Sequence, residues 1–478
     1  MAAPVAAAPC KPPPTLLIRN VQLRPMGVQP QQLLRDQSVL VARGRIVRVA
    51  PQIRAPRGAQ VIDGRGRFLL PGLIDAHVHV WDTPELSAYL AAGVTTVRNA
   101  SGMPFHLDYA RAIDAGCLEG PRLLTTGPIL NGQGPNTQPN HQIVESAAQA
   151  VAAVRAQHRQ GYRHLKLYSN LSRPAYLAIV AEARRLGMTL MGHTPEGPRA
   201  PGVPQRQDFD IPFDEVLAAG FVSIEHMESV VWHGLRDRLD EDAARALARR
   251  IARQGVALTP TLIAHHNLVR VARSRGAYLQ RAGVEKLNPF VSELEQESYQ
   301  QWSAAPPEGR SGYDAFYRRA VKIFHEEGVT LLAGTDAGIF TNVPGHADRG
   351  VAVAGRCRPE PAAGPADRHQ RCGGAPGAGW RPHRRGRARR SAAARRRPGR
   401  GPGRPAAAGR PDGGGALVWA GGPGPAGAPG GHGLLRALEA PDPAGFEAAG
   451  VGAAMKKAPR PRGPLAARSP AGPPASSS

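Results

Sequence analysis

The stretch LPGLIDAHVHV at residues 70–80 decides the fold of this chain. A Pro-Gly pair precedes an apolar run, and the run ends in His77 and His79, which stand two positions apart. Residues i and i+2 of a β-strand lie on the same face, so the two imidazoles project together. A single metal ion requires that arrangement. The alternative is a strand with two ordinary polar residues, and the rest of the chain decides between them.

Strand and helix patterns alternate after residue 80. Apolar strands are predicted at residues 94–98, 122–126, 164–168, 188–193, 222–226, 256–259 and 330–334. Helices are predicted at residues 104–115, 143–160, 173–186 and 241–254, with a Gly/Pro/Asn loop at 127–140 and a long helical insertion at about 263–327. With the His77 strand there are eight strands, which predicts an α/β fold of the (β/α)8 TIM-like barrel class. Chemistry in such barrels lies at the carboxyl ends of the strands.

Residues with metal-binding or acid–base chemistry stand on or just after five of these strands. They are His77 and His79 of the first strand, Lys166 of the fourth, His193 of the fifth, His226 of the sixth and Asp336 after the eighth. Each alone is explained by a satisfied polar group or, for Lys166, by a snorkelling side chain. Six such residues at one barrel mouth predict a metal-dependent catalytic site.

Substrate-binding residues are less clearly marked in the sequence. Tyr168 shares its strand face with Lys166, and His141 follows the loop after the third strand. Both are candidate substrate-binding residues, although ordinary loop or core packing also explains His141. His265 and His266 stand at a helix start after the seventh strand; exposed positions are favoured for them, with one of them lining the barrel mouth as the alternative. His106, within a helix, is predicted to lie on the surface.

These motifs resemble the amidohydrolase superfamily, and more closely its imidazolonepropionase-like and prolidase-like branch. The resemblance covers roughly residues 15–345 and is carried by residues 71–79, 166–168, 192–193, 224–226 and 334–338. It implies a metal-bearing (β/α)8 barrel and a β-sandwich built from both ends of the chain. It also implies a set of metal ligands: His77, His79, His193, His226, Asp336 and a carboxylated, bridging Lys166.

The implied donors suit divalent metals. Imidazole, carboxylate and carbamate groups bind Zn²⁺ and similar ions, so two Zn²⁺ are expected, with Mn, Co or Ni as alternatives. An unmodified Lys166 ammonium beside two dications would be repelled, whereas a carbamate would be a ligand. Asp336 would take a proton from the attacking water and pass it to the leaving nitrogen. The expected function is hydrolysis of amide, dipeptide-like or cyclic amide bonds in a small molecule.

Composition divides the chain into four parts. Residues 1–14 are predicted to be a disordered lead-in, 15–70 a small β-domain with a hairpin around residues 42–44, and 71–345 the hydrolase barrel. Residues 346–478 carry a net charge of +16 out of +24, and about 35% of them are Gly or Pro. That content exceeds the roughly 25–30% typical of low-complexity segments, so a disordered basic tail is predicted there. The expected C-terminal contribution to the sandwich is missing.

The basic tail has two alternative interpretations. A basic segment with few aromatic residues suits non-specific phosphate contact at most, so no specific nucleic-acid partner is predicted. Alternatively, the tail is a reading-frame artefact, because a shifted reading from Arg349 can encode an amphipathic helix with a glycine stop. That helix resembles the family's last barrel helix. The chain as written would then be an inactive or unstable amidohydrolase.

Cysteine spacing and hydropathy bear on the compartment. Cys10, Cys117, Cys357 and Cys372 form no C-x-x-C pair and predict no disulfide framework. No apolar run reaches the roughly 18 residues of a membrane span. Residues 1–14 lack a signal-peptide pattern, which predicts a cytoplasmic protein as written and a periplasmic or secreted one if a signal was lost. The sequence does not indicate an oligomeric state.

Overall fold

The computed structural model describes residues 10, 13–26, 32–135, 137–339 and 342–344. The predicted tail at residues 346–478 and most of the predicted lead-in at 1–14 lie outside the described residues. Both predictions therefore stay predictions, as does the four-part division of the chain.

The described residues form strands and helices in an order that is mostly alternating after residue 70. The strands are β1 (Leu16–Leu23), β2 (Leu34–Ala42), β3 (Arg45–Ala50), β4 (Gln60–Asp63), β5 (Phe68–Leu69), β6 (Leu73–Val78), β7 (Val94–Asn99), β8 (Arg122–Thr125), β9 (Ile129–Asn131), β10 (His141–Ile143), β11 (His164–Leu167), β12 (Thr189–Gly192), β13 (Phe221–Glu225) and β14 (Ala257–Thr259). The α-helices are α1 (Pro84–Ala91), α2 (His106–Asp114), α3 (Ala147–Gln160), α4 (Arg173–Leu186), α5 (Phe213–Ala218), α6 (Met227–Ser229), α7 (Glu241–Gln254), α8 (Leu262–Arg273), α9 (Pro289–Ala304) and α10 (Pro307–Glu326).

The first five strands form one mixed sheet. Its order is β3-β2-β1-β4, with β5 beside β1. β2 and β3 pair antiparallel, as the hairpin prediction requires, and Arg43 and Gly44 between them have φ of 51° and 70°. Two positive φ values in a two-residue turn match the twist of the flanking strands. One face of the sheet buries Ile18, Val39 and other apolar side chains in a small core of its own.

Two parallel sheets follow, with orders β6-β7-β8 and β10-β9-β11-β12-β13-β14. Residues 330–337 hydrogen-bond to both sheets: the Leu258 N–H donates to the Thr330 carbonyl at 2.9 Å, and the Ala76 N–H donates to the Ala333 carbonyl at 2.8 Å. Parallel strands separated by helices fit a TIM-barrel-type fold. Among the described residues, the predicted eighth strand at residues 330–334 forms an isolated bridge from Leu331 to Leu258 rather than a longer ladder, and a second bridge joins Ala337 to Val78. The closed barrel stays a prediction.

The segment at residues 127–140 differs from its prediction. It contains strand β9, and His141 begins strand β10 directly after it. Ile129 and Leu130 are buried at 2% and 0% exposure, so this short apolar pair packs into the sheet. The Gly, Pro and Asn residues around the pair dominate the local composition and conceal a strand of only three residues.

Helix α3 begins later than the predicted residue 143. The Ser146 side chain accepts a hydrogen bond from the Gln149 N–H at 3.2 Å, and the Gln149 side chain accepts one from the Ser146 N–H at 3.2 Å. This reciprocal pair is a capping box, which satisfies two backbone donors at the start of a helix. Gly161, at φ 109°, ends the helix in the left-handed conformation that favours glycine.

A disulfide joins Cys10 to Cys117, although the sequence predicted no disulfide framework. The two cysteines are 107 residues apart, so local spacing carries no sign of the pair. The fold brings them together.

A membrane-spanning helix is not present among the residues that the structure describes, because none of their helices is both long and apolar enough.

Candidate metal centre

The carboxyl end of β6 and the segment after residue 335 form the centre of the site. His77 is fully buried, and its Nε2 lies 3.3 Å from Asp336 Oδ1. His79 Nε2 lies 3.0 Å from the same oxygen. One ligand atom from each of the three residues lies within 4.8 Å of the others, close enough to hold one metal ion. The predicted convergence of the first and last strands is therefore present in the structure.

Backbone and side-chain hydrogen bonds fix Asp336 beside His77. The Asp336 N–H donates to the His77 carbonyl at 2.8 Å. Asp75 accepts bonds from the Thr335 N–H at 3.0 Å and the Thr335 hydroxyl at 2.5 Å, which locks the preceding residue to β6. Burial raises the pKa of Asp75 to about 6, against these hydrogen bonds. Sequence reasoning missed Asp75, although its position two residues before His77 marks the same strand face.

Two glycines near Asp336 allow the backbones to approach. A Cβ on Gly334 would lie 2.4 Å from the Thr259 side chain and 3.0 Å from His77 Cβ. Gly338 has φ 98°, and a Cβ there would lie 1.7 Å from the His79 carbonyl oxygen. Both positions therefore require glycine for steric reasons, and Gly338 also for its backbone conformation.

Lys166 lies on β11, in the six-stranded parallel sheet, and its side chain reaches His77 on β6 of the three-stranded sheet. It is 1% exposed, and its Nζ lies 3.5 Å from His77 Nε2. Burial lowers the pKa of Lys166 to about 8, although Glu225 and Asp336 favour the charged form. The side chain does not snorkel to solvent.

His193 and His226 extend the cluster. The His226 ring centroid lies 4.6 Å from that of His77 and 4.4 Å from that of His193. His226 Nδ1 lies 2.6 Å from the Thr261 hydroxyl, which leaves Nε2 for another ligand. His193 Nδ1 is buried and has no hydrogen-bond partner in the described part of the chain. These two rings adjoin the three-residue group but are not among the atoms within its 4.8 Å spread.

This set of donors fits a divalent metal. Ligating imidazoles must be neutral, and burial lowers the pKa of His226 to about 4 and that of His77 well below its usual range. Burial tends to raise the pKa of Asp336, but His226, His79 and His77 together hold it below its usual range. Neutral nitrogens and one carboxylate are the donors that Zn²⁺ and its neighbours prefer.

Tyr168 and His141 line the side of this cluster. The Tyr168 ring lies 3.9 Å from the His193 ring and 4.8 Å from the His141 ring, centroid to centroid. His141 Nδ1 accepts from the Asn131 amide at 3.1 Å, so its proton lies on Nε2. That Nε2 is buried and has no hydrogen-bond partner among the described residues.

Sequence reasoning also missed two charged residues beneath the cluster. Glu225 Oε2 lies 2.6 Å from His77 Nδ1, and Arg98 Nη2 donates to Glu225 Oε1 at 2.8 Å. Burial alone would raise the pKa of Glu225, but the Arg98 charge and the His77 hydrogen bond hold it well below its usual range. The alternation of Ser223 and Glu225 along β13 was the available signal, because both lie on one strand face.

Two histidines predicted to lie on the surface are buried. His106 is fully buried, donates from Nε2 to the Val80 carbonyl at 2.8 Å and accepts at Nδ1 from the Met103 N–H at 2.8 Å. His265 is 5% exposed, and its ring lies 4.7 Å from that of Tyr317. The surface predictions were wrong because each residue lies at a buried position in the first turn of its helix.

No family model matches the chain. Three curated proteins are similar over parts of it. An adenine deaminase from Paracoccus denitrificans is 29% identical over 204 residues, which cover 40% of this chain and 33% of that protein. An imidazolonepropionase from Aromatoleum aromaticum is 45% identical over 14% of this chain and 17% of that protein. A dihydroorotase from Anaeromyxobacter dehalogenans is 30% identical over 20% of this chain and 26% of that protein.

The matches span about a third or less of the length of these curated relatives. Two solved structures are similar over more of the chain. The bottromycin amidohydrolase has a TM-score of 0.57 at 24% identity, over 74% of this chain and 75% of that one. A putative prolidase from Bifidobacterium longum has a TM-score of 0.53 at 21% identity, over 75% of this chain and 81% of that one. These two likenesses concern the fold.

Proposed function

We propose that this chain is a member of the amidohydrolase superfamily and a metal-dependent hydrolase of carbon–nitrogen bonds in small molecules, which its partial similarity to curated enzymes supports. The observation that carries the proposal is the convergence of His77, His79 and Asp336 on one point. The names of the relatives support the bond type, because deaminases, imidazolonepropionases and dihydroorotases all act on carbon–nitrogen bonds. The proposed substrates are amides, dipeptide-like molecules or cyclic amides.

The proposed metal ligands are His77, His79, His193, His226, Asp336 and a carboxylated Lys166. A bound divalent ion would supply a nucleophile at neutral pH by lowering the pKa of water from ~15.7 to about 7. The buried position of Lys166, whose Nζ lies 3.5 Å from His77 Nε2, supports its place in this set as a carbamate, which would supply anionic oxygen ligands. Zn²⁺ is the proposed metal, with Mn, Co or Ni as alternatives.

Asp336 is the proposed general base. Its Oδ1 lies 3.3 Å from His77 Nε2 and 3.0 Å from His79 Nε2, so the carboxylate faces the point where these candidate ligands converge. Asp336 would accept a proton from the attacking water and donate it to the departing nitrogen. The amine then leaves as a neutral group, which completes the proton balance of amide hydrolysis.

Tyr168 and His141 are the proposed substrate-binding residues. The Nε2–H of His141 is a buried donor without a partner in the described structure, which supports a bond to a substrate oxygen. Burial raises the pKa of Tyr168 further above its usual value of 10, so its hydroxyl stays a donor at neutral pH. A substrate with a carbonyl or carboxylate oxygen beside the scissile bond suits both groups.

The test is hydrolysis by the purified full chain loaded with Zn²⁺, Mn²⁺, Co²⁺ or Ni²⁺. Dipeptides, N-acyl amino acids and cyclic amides would be screened for release of the amine product. We expect Asp336→Asn to lower kcat by about 10²–10⁴-fold, the usual contribution of a general base. Asp114→Asn, at an exposed aspartate of α2, is the control and should leave kcat unchanged. Folded, metal-loaded chain that cleaves none of these bonds would contradict the proposal.

A further inference from the structure

Beneath the metal centre, Arg98 and Glu225 form a buried ion pair that touches His77 on the face away from Asp336. Glu225 is fully buried, and Arg98 is 4% exposed. The two residues come from neighbouring regions of different sheets, on β7 and β13. We propose that Glu225 is a positioning residue that sets the orientation and tautomer of His77 for metal binding, and that Arg98 holds Glu225 in place.

The two ring nitrogens of His77 face different neighbours. Nδ1 lies 2.6 Å from Glu225 Oε2, and Nε2 lies 3.3 Å from Asp336 Oδ1. A carboxylate only accepts hydrogen bonds, so the proton of a neutral His77 lies on Nδ1. The lone pair is then on Nε2, which faces the other candidate ligands. Metal-ligating histidines commonly use such a carboxylate to fix their tautomer and raise their basicity.

Two hydrogen bonds hold the Glu225 carboxylate in place. Its Oε1 accepts from Arg98 Nη2 at 2.8 Å and from the Ser223 hydroxyl at 2.5 Å. Arg98 is itself tied to the metal-binding strand, because its Nε donates to the Ala76 carbonyl at 2.6 Å. It also donates from Nη2 to the Thr259 hydroxyl at 3.2 Å. Arg98 therefore links β6, β7, β13 and β14 below the site.

The ion pair of Arg98 and Glu225 has two candidate roles, which are packing and the positioning of His77. A buried ion pair is weak evidence for stability, because removing both charges from a protein interior is often neutral or stabilising. If the pair served packing alone, replacing both members would restore both the Tm and the Zn²⁺ affinity of the protein. The 2.6 Å contact with His77 adds a second role, which removal of both charges cannot restore.

The experiment measures metal affinity in the full chain, so it does not depend on turnover. Apo protein would be titrated with Zn²⁺ against a chromophoric chelator, and the Co²⁺ form would be examined by its visible absorption. We expect Glu225→Gln to weaken Zn²⁺ binding by about 10–100-fold, the usual effect of losing such a partner, and to alter the Co²⁺ spectrum. Glu182→Gln is the matched control, since Glu182 is 6% exposed and paired with Arg155 and Arg185 away from the metal centre.

A double variant keeps the test decisive if Glu225→Gln folds poorly because Arg98 is left unpaired. We expect Glu225→Gln with Arg98→Met to regain Tm while Zn²⁺ affinity stays low. Recovery of Zn²⁺ affinity together with Tm in the double variant would overturn this inference. Unchanged Zn²⁺ affinity in folded Glu225→Gln would do the same. Neither result would contradict the proposed function. The inference rests on the proposed function, so absence of Zn²⁺ binding in the unsubstituted chain would overturn both.

Discussion

Lys166 is buried beside the imidazole of His77, and the charges of Glu225 and Asp336 act on it, so its chemical form decides what it binds. A lysine reacts with CO₂ as the neutral amine, and the carbamate that forms is anionic. Because the Lys166 Nζ lies 3.5 Å from His77 Nε2, a carbamate formed there would serve as the proposed metal ligand. The alternative is an ammonium that the charges of Glu225 and Asp336 stabilise and that does not bind metal.

Substitution separates these two forms of Lys166. We expect Lys166→Met to lower hydrolysis by about 100-fold or more, the scale of losing one electrostatic stabilising group, and to lower the number of ions bound. Lys166→Glu should retain part of the hydrolytic activity and part of the bound metal, because a glutamate supplies a bridging carboxylate. Metal analysis and initial rates on the same samples provide the measurement. Full activity in Lys166→Met would exclude a role for Lys166 as a ligand.

His233 provides a test of pH dependence away from the metal centre. It lies in a short π-helix, Val230–Gly234, is 2% exposed and donates from Nε2 to the Ile211 carbonyl at 2.8 Å. Burial lowers its pKa to about 4, against the effect of that hydrogen bond. An unfolded histidine has a pKa of about 6.5, so the unfolded chain binds the proton first as the pH falls. The contribution of His233 to stability is therefore present above pH 6.5 and is lost between about pH 6.5 and 4.

We expect the free energy of unfolding of the unsubstituted chain, relative to His233→Gln, to fall by about 2–3 kcal/mol between pH 7.5 and 4.5. Glutamine keeps a donor for Ile211 but does not titrate. Urea denaturation at the two pH values gives the difference, and other histidines cancel because both proteins contain them. A difference that is the same at both pH values would show that His233 titrates normally in the folded chain.

At the scale of elements, the local sequence predicted the helices whose ends are marked by a glycine. Helices α4 and α7 occupy the predicted ranges, Arg173–Leu186 and Glu241–Gln254, and each is followed by a glycine at φ 67°. Strand β9 was missed because three residues are too few to show a period. The start of α3 was predicted too early because the apolar pattern begins at residue 143, before Ser146, which caps the helix.

The capping box of α3 is a testable element. Ser146→Ala removes the acceptor for the Gln149 N–H, so we expect a loss of about 0.5–2 kcal/mol in the free energy of unfolding. Glu145→Ala is the neighbouring control, because the Glu145 side chain is exposed and its contact with Gln149 uses the backbone N–H. Chemical denaturation would measure both. Equal stability of the two variants would show that the cap contributes nothing.

At the scale of the whole molecule, the convergence of the candidate metal ligands could be predicted from the sequence, but the residues that support them could not. His77, His193 and His226 lie at strand ends, where a barrel brings side chains together. The contacts of Glu225 with Arg98 and His77 join residues 127 and 148 positions apart, and no local pattern specifies such a pair. The same holds for Cys10 and Cys117, whose pairing follows from the fold.

Side chains from several strands converge on one point, and we propose that they hold divalent metal. Elemental analysis of the purified, folded chain after reconstitution with Zn²⁺ tests this directly, with His77→Ala as the comparison. We expect up to two ions per chain in the unsubstituted protein and a clear loss in the variant, with circular dichroism unchanged. Folded protein that binds no Zn, Mn, Co or Ni after reconstitution would contradict it.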